Sequence, residues 1–122
     1  MAKSQTYHEF ADTMRIVISK HIPAKGFMAM NICGILFVRR EYADRIGAVT
    51  MSHEYIHSEQ MKELLYLFFY IIYIAEYIFH FLKFWNLKKA YRSISFEREA
   101  FQHERDFNYL RTRKHFAQWR KG

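Results

Sequence analysis

Between residues 50 and 83 the chain has neither Gly nor Pro, and apolar positions recur there at three- and four-residue spacing. At about 100° per residue, His53, His57, Met61, Leu64, Phe68, Ile71, Ala75, Ile78 and Leu82 share one side of a helix. Glu59, Lys62, Tyr66, Tyr70, Tyr73, Tyr77 and His80 stand on the other. The pattern predicts one helix over residues 50–84, started by Thr50 or Ser52 as its cap. Its wide apolar face, with His53, Leu64, Ile71, Ala75 and Leu82, is expected to pack inward. The tyrosine seam is expected near solvent, because burying those hydroxyls and Glu76 unpaired would cost more than about 1 kcal/mol each.

Upstream, Arg15, Ile16, Val17, Ile18 and Ser19 are β-branched enough to favour a strand, although a short helix over residues 8–20 is the alternative. Residues 23–26 read as a turn. Residues 27–39 are rich in strand formers and predict one or two strands bent at Gly34, with a loop over 41–49. Downstream, residues 85–94 read as a connection. Ser93 or Ser95 then caps a last helix within 95–118, where Phe96, Ala100, His103, Phe107 and Leu110 recur at helical spacing. The expected fold is mainly α with a small N-terminal β-hairpin (α+β), one domain over residues 1–122.

Composition sharpens this. The chain is 51% hydrophobic and 19% aromatic, which excludes disorder, and 4 Gly with 1 Pro leave too few turns for an all-β fold. The lone Cys33 excludes an internal disulfide framework and reads as a small core side chain. The N-terminus carries no apolar run of signal-peptide type, so a cytoplasmic location is expected. Residues 64–82 are apolar enough to be weighed as a bilayer span. Four tyrosines, Glu76 and His80 would make a lone lipid-embedded helix costly. Packing against other helices, a second chain or a membrane surface suits the segment better.

The chemistry is concentrated in His53-Glu54-Tyr55-Ile56-His57. Histidines four residues apart lie one helical turn apart on one face, and both can bind a single Zn²⁺ at about 2.0–2.1 Å. Glu54 between them can lean over the open position and take a proton from a water there. Without a metal, two imidazoles would be buried on an apolar face with no evident partners. A third ligand is required. Glu76 projects about 120° from the histidines and, on an unbroken helix, lies about 28 Å further along. Glu97, early in the last helix, is the better candidate, with Glu99 as fallback. A straight first helix would leave about 40 Å to recross in about twelve residues at about 3.3 Å each, so a bend in it is expected.

Phe96-Glu97-Arg98-Glu99-Ala100 resembles the glutamate-helix signature of gluzincin metallopeptidases, especially the prenyl-protein proteases and the antibiotic-sensing receptor peptidases. The resemblance implies Glu97 as third zinc ligand beside His53 and His57, and Glu54 as general base. Over residues 20–120 the chain is also similar to a group of short, uncharacterised bacterial proteins, which brings no established activity with it. Many gluzincins place Asp four residues after the ligand Glu, where it steadies a ligand histidine. Phe101 stands there instead, so either Glu104 or a backbone carbonyl orients the imidazole, or the site is less active than the motif suggests. Tyr91 or Arg92, folded over the site, would stabilise an oxyanion. Otherwise Tyr91 packs and Arg92 pairs with a surface acid.

Three functions compete on this reading. One is a zinc-dependent hydrolase acting on a peptide bond, for which the strand within residues 27–38 could form the edge that holds an extended substrate, or else be core hairpin only. A second is a zinc-binding module that has lost catalysis, which Phe101 favours. The third is a basic helical protein binding a membrane surface or nucleic acid through residues 83–121. A net charge of +7 supports the third, although cations at a helix end explain much of that excess and leave nucleic acid the weakest partner.

Overall fold

The computed structural model describes residues 14–120. The fold is mostly helical with a small N-terminal sheet, as the sequence predicts; residues 8–13 of the first expected element lie outside the described part.

Strands β1 (Arg15–Ser19), β2 (Ala29–Ile32) and β3 (Ile35–Arg39) form a sheet of order β1-β3-β2. β2 and β3 are antiparallel, with Ile32 opposite Ile35, and β1 runs parallel to β3. The hairpin turn is two residues long, and both Cys33 (φ 52°) and Gly34 (φ 88°) adopt the left-handed backbone that such a turn requires. Cys33 is therefore exposed at a turn tip, not in the core as expected. Alternation along β3 buries Leu36 and Val38 against Met51 and Tyr55 of the first helix, α1 (Ala48–Glu63). That helix begins at Gly47, so neither Thr50 nor Ser52 is its cap, and Arg40–Arg45 of the expected loop form a 3₁₀ turn.

The single helix expected over 50–84 is two helices. After α1 the chain reverses and continues as α2 (Leu67–Phe84). The bend expected on grounds of reach is a complete break, made without Gly or Pro. Tyr66 N–H donates to Met61 O (2.8 Å) and Leu65 N–H to Lys62 O (3.3 Å), which is a Schellman closure. Leu65 (φ 54°) occupies the left-handed position that glycine usually fills, and Tyr66 (φ 63°, ψ −55°) also has a positive φ, at the centre of a γ-turn closed by Leu67 N–H on Leu65 O.

The break also resets the helical phase. His53 stays inward on α1, but on α2 the expected arrangement is inverted. Ile71, Leu82 and Ala75 face outward, Leu64 is only partly buried, and Tyr66, Tyr70, Tyr73 and Tyr77 pack around Phe69, Ile94 and Phe96. The hydroxyls of Tyr70 and Tyr73 find partners. Tyr70 accepts from Cys33 N–H (2.8 Å), and Tyr73 donates to a carboxylate of the site below (2.6 Å).

Residues 85–94, expected as a plain connection, contain α3 (Leu87–Ser93), capped by Asn86 accepting from Lys89 N–H. The glutamate helix α4 (Ser95–His103) is shorter than predicted, and a one-turn helix α5 (Tyr109–Thr112) and a 3₁₀ turn (Ala117–Trp119) follow. Neither Ser93 nor Ser95 caps α4 through its own side chain. Glu76 of α2 does so, accepting from Ser95 N–H and Ser95 Oγ, both at 2.7 Å. A carboxylate at a helix N-terminus takes up an orphan donor and complements the dipole.

Leu65 is 72% exposed, so its side chain contributes little packing to offset its backbone conformation. Leu65→Gly should raise stability by about 1 kcal/mol, since a left-handed L-residue costs about 1–2 kcal/mol. Chemical denaturation of the pair checks this, and a destabilised variant would show that the turn is held by the leucine side chain after all.

Candidate metal centre

Tight reversal after α1 lets α4 lie across the first turns of α1, and this brings three side chains together. His53 and His57 project from one face of α1, and Glu97 from the first turn of α4. His53 Nε2 and His57 Nε2 each lie 3.0 Å from the same oxygen, Glu97 Oε1. All three side chains are buried, and their candidate donor atoms lie within 4.8 Å of one another. The cluster could hold a metal ion.

The outer edges of both imidazoles are fixed. His53 Nδ1 lies 2.7 Å from Glu104 Oε1, and His57 Nδ1 lies 2.8 Å from Gln60 Oε1. Gln60 has no choice of orientation, because its amide N–H groups donate to Phe96 O (3.0 Å) and Glu99 Oε1 (2.9 Å). Both acceptors demand a proton on Nδ1, so a neutral imidazole presents a bare lone pair at Nε2. Two such lone pairs and a carboxylate oxygen then converge on one spot. That repels unless a cation intervenes, either a metal ion or an extra proton on an imidazole. Donors in a tetrahedral zinc site with bonds of about 2.0–2.1 Å stand about 3.3 Å apart, close to the 3.0 Å between each Nε2 and Glu97 Oε1.

Electrostatics in the metal-free protein agree. Burial alone would raise the Glu97 carboxyl, but the charge of His57 and hydrogen bonds from His53, His57 and Tyr73 hold it well below the usual range. Burial would lower His57, yet Glu97 and then Glu54 push it up to about 9. Glu54 lies close enough to feel the charges of both histidines and Glu97, and desolvation raises its carboxyl above the ordinary value. Its backbone carbonyl accepts from Asn31 Nδ2 (3.1 Å), which ties β2 to this turn of α1.

The structure thus brings together His53, His57 and Glu97, with Glu54 beside them. Glu99, the fallback, is not in the cluster. It accepts from Gln60, from Tyr109 (2.6 Å) and from Arg113, whose guanidinium also reaches Glu63 (3.0 Å) and Gln118 (2.8 Å). Glu76 stays out as well, but because it caps α4; the argument from an unbroken helix does not hold. Phe101 packs its ring edgewise on His53 (centroids 4.6 Å), and Glu104 supplies the orienting carboxylate. Arg92 stacks on Phe101 at 3.8 Å instead of pairing with an acid at that point. Tyr91 is partly buried, and burial together with the Glu97 charge pushes its phenol up.

Sequence reasoning missed Gln60 and Tyr73. Gln60 had a local signal, since the third residue after His57 on a helix is its neighbour. Tyr73 had none, because only the chain reversal brings it to Glu97 Oε2 at 2.6 Å. No protein-family model, curated protein or solved structure matches the chain.

A raised His57 sets a pH window for the metal-free protein. Its folded value of about 9 exceeds the ordinary 6.5, so its contribution to stability is complete below 6.5 and lost as pH rises through 9. A metal must displace that proton. Apparent zinc affinity should therefore rise about tenfold per pH unit across this window, with proton release detectable by calorimetry in two buffers. Glu104→Gln should weaken zinc binding by about 10- to 100-fold, as measured by competition with a chelator.

Proposed function

We propose that the chain is a zinc-dependent hydrolase acting on peptide bonds, with His53, His57 and Glu97 as metal ligands and Glu54 as general base. The observation that carries this reading is the convergence of two imidazole lone pairs on one carboxylate oxygen, each imidazole locked from behind by an acceptor. Three protein ligands leave a fourth position open, which is the arrangement of catalytic rather than structural zinc sites. Bound there, Zn²⁺ would polarise the scissile carbonyl and acidify a water.

The remaining work falls to this chain's own groups. Glu54, its carboxyl raised by desolvation, takes the proton of the attacking water and returns it to the leaving amine. Glu104 and Gln60 keep the two imidazoles in a single tautomer. Tyr73 donates to Glu97 Oε2, leaving Oε1 to face the histidines. Glu104 partners His53 Nδ1 in place of the acid that Phe101 replaces, which supports the catalytic reading over a metal module without catalysis.

Protein purified without added zinc is expected to carry about one zinc per chain by elemental mass spectrometry. Glu54→Gln should keep that metal and lose peptide turnover by a factor of about 10² or more, because the amide can neither accept nor deliver the proton. Loss of metal in Glu54→Gln would make Glu54 a ligand or structural group. Zinc without turnover on a broad peptide library would leave a binding module, and absence of metal would leave a protonated histidine–glutamate cluster.

A further inference from the structure

α2 presents two unlike sides. Its inner side belongs to the protein, through Phe69, Tyr73 on Glu97 and Glu76 on Ser95. Its outer side carries Leu67, Ile71, Ile74, Ile78, Leu82 and Trp85, between 54% and 73% exposed, in one stripe at three- and four-residue spacing. Only Phe69 of its 18 residues is fully buried. By length and composition α2 is apolar enough to cross a membrane. The occupied inner side is incompatible with lipid on every side.

Charge indicates what covers the stripe. From residue 77 to residue 96 the chain has no Asp or Glu, while Lys83, Lys88, Lys89 and Arg92 cluster where α2 ends and α3 begins. All four are exposed. Lys83 and Lys89 set their ammonium groups over the Phe84 ring, at 5.4 and 4.3 Å, and so gather at the end of the apolar stripe. Trp85 adds an amphipathic ring of the kind that settles at headgroup depth. A second copy docked on the same face would bring another four cations and no acid from this segment to meet them. Anionic headgroups above an acyl layer satisfy both the cations and the stripe.

We propose that α2 lies in the plane of an anionic membrane surface, its outer stripe in the acyl boundary and the Lys83–Arg92 cations on the headgroups. The seat is independent of the metal, because none of these side chains reaches the cluster.

Sedimentation of the full chain with vesicles tests this, using phosphatidylcholine alone or with about 30 mol % phosphatidylglycerol to supply a negative surface potential. Binding is expected to be at least about tenfold tighter to the anionic vesicles and to weaken as salt rises. Ile74→Gln/Ile78→Gln should reduce it by about tenfold or more. Lys88→Gln/Lys89→Gln should remove the preference for phosphatidylglycerol. Both variants alter exposed side chains, and unchanged metal content and circular dichroism would show that they are folded. Equal binding by parent and Ile74→Gln/Ile78→Gln, or no vesicle binding by the parent, overturns the proposal. A lipid-free dimer that the same double variant dissociates, without vesicle binding, would assign the stripe to a second copy. Retention of the parent on vesicles through high salt and pH 11 would mean a span and overturn the in-plane seat.

Discussion

A buried carboxylate oxygen shared by two imidazoles is the contact around which this chain is arranged. Glu97 Oε1 has His53 and His57 at 3.0 Å on one side, and Glu97 Oε2 has Tyr73 at 2.6 Å on the other. An unpaired charge so buried would be prohibitive. Three helices supply what makes it tolerable. α1 gives the imidazoles and Gln60, α2 gives Tyr73, and α4 gives Glu97 and, just past its last residue, Glu104. Behind this shell a second buried set, Glu63, Glu99, Arg113 and Gln118, joins the end of α1 to α4 and the C-terminal turn.

Bringing the start of α4 onto α1 requires the chain to return within a short distance, and the break at residues 64–66 provides this. It is assembled from residues with poor intrinsic aptitude for it, two non-glycines of positive φ in succession. What holds it lies elsewhere. Tyr66 packs with the cluster of Met61, Phe69, Ile94 and Phe96, and Phe69 sits 4.6 Å from Phe96 between ring centroids. Glu76 on the Ser95 N–H then fixes where α4 starts, and so where Glu97 points. Tertiary packing and a hydrogen bond across helices thus determine a local conformation that propensity disfavours.

This explains which parts of the structure were legible. The His53–His57 pair and its approach to Glu97 were, because a four-residue helical spacing and an aromatic-Glu segment are local patterns. So was the hairpin around Gly34. The phase of α2 was not. Counting 100° per residue is valid only along unbroken helix, and two residues of positive φ discard the count. The premise about the tyrosines was sound, since unpaired buried hydroxyls are costly. It led to the wrong side because Tyr70 and Tyr73 find their partners, Cys33 N–H and Glu97, more than twenty residues away in sequence. Glu76 stayed outside the cluster for a reason that no helical projection contains.

The partner of His53 shows how a local departure can be made good within one helix face. Positions four and seven after a helical residue lie on the same side as it, one and two turns further along. Relative to Glu97 these are Phe101 and Glu104. The acid that the resemblance places at the first position stands here at the second, while Phe101 packs its ring edge on His53 and carries Arg92 on its face. The two carboxylates on His53 are also unequal in burial, 5% side-chain exposure for Glu97 against 18% for Glu104. The more exposed one, Glu104, accepts from Nδ1 at 2.7 Å. The drier one, lacking water, depends on whatever cation stands between it and the two Nε2 atoms.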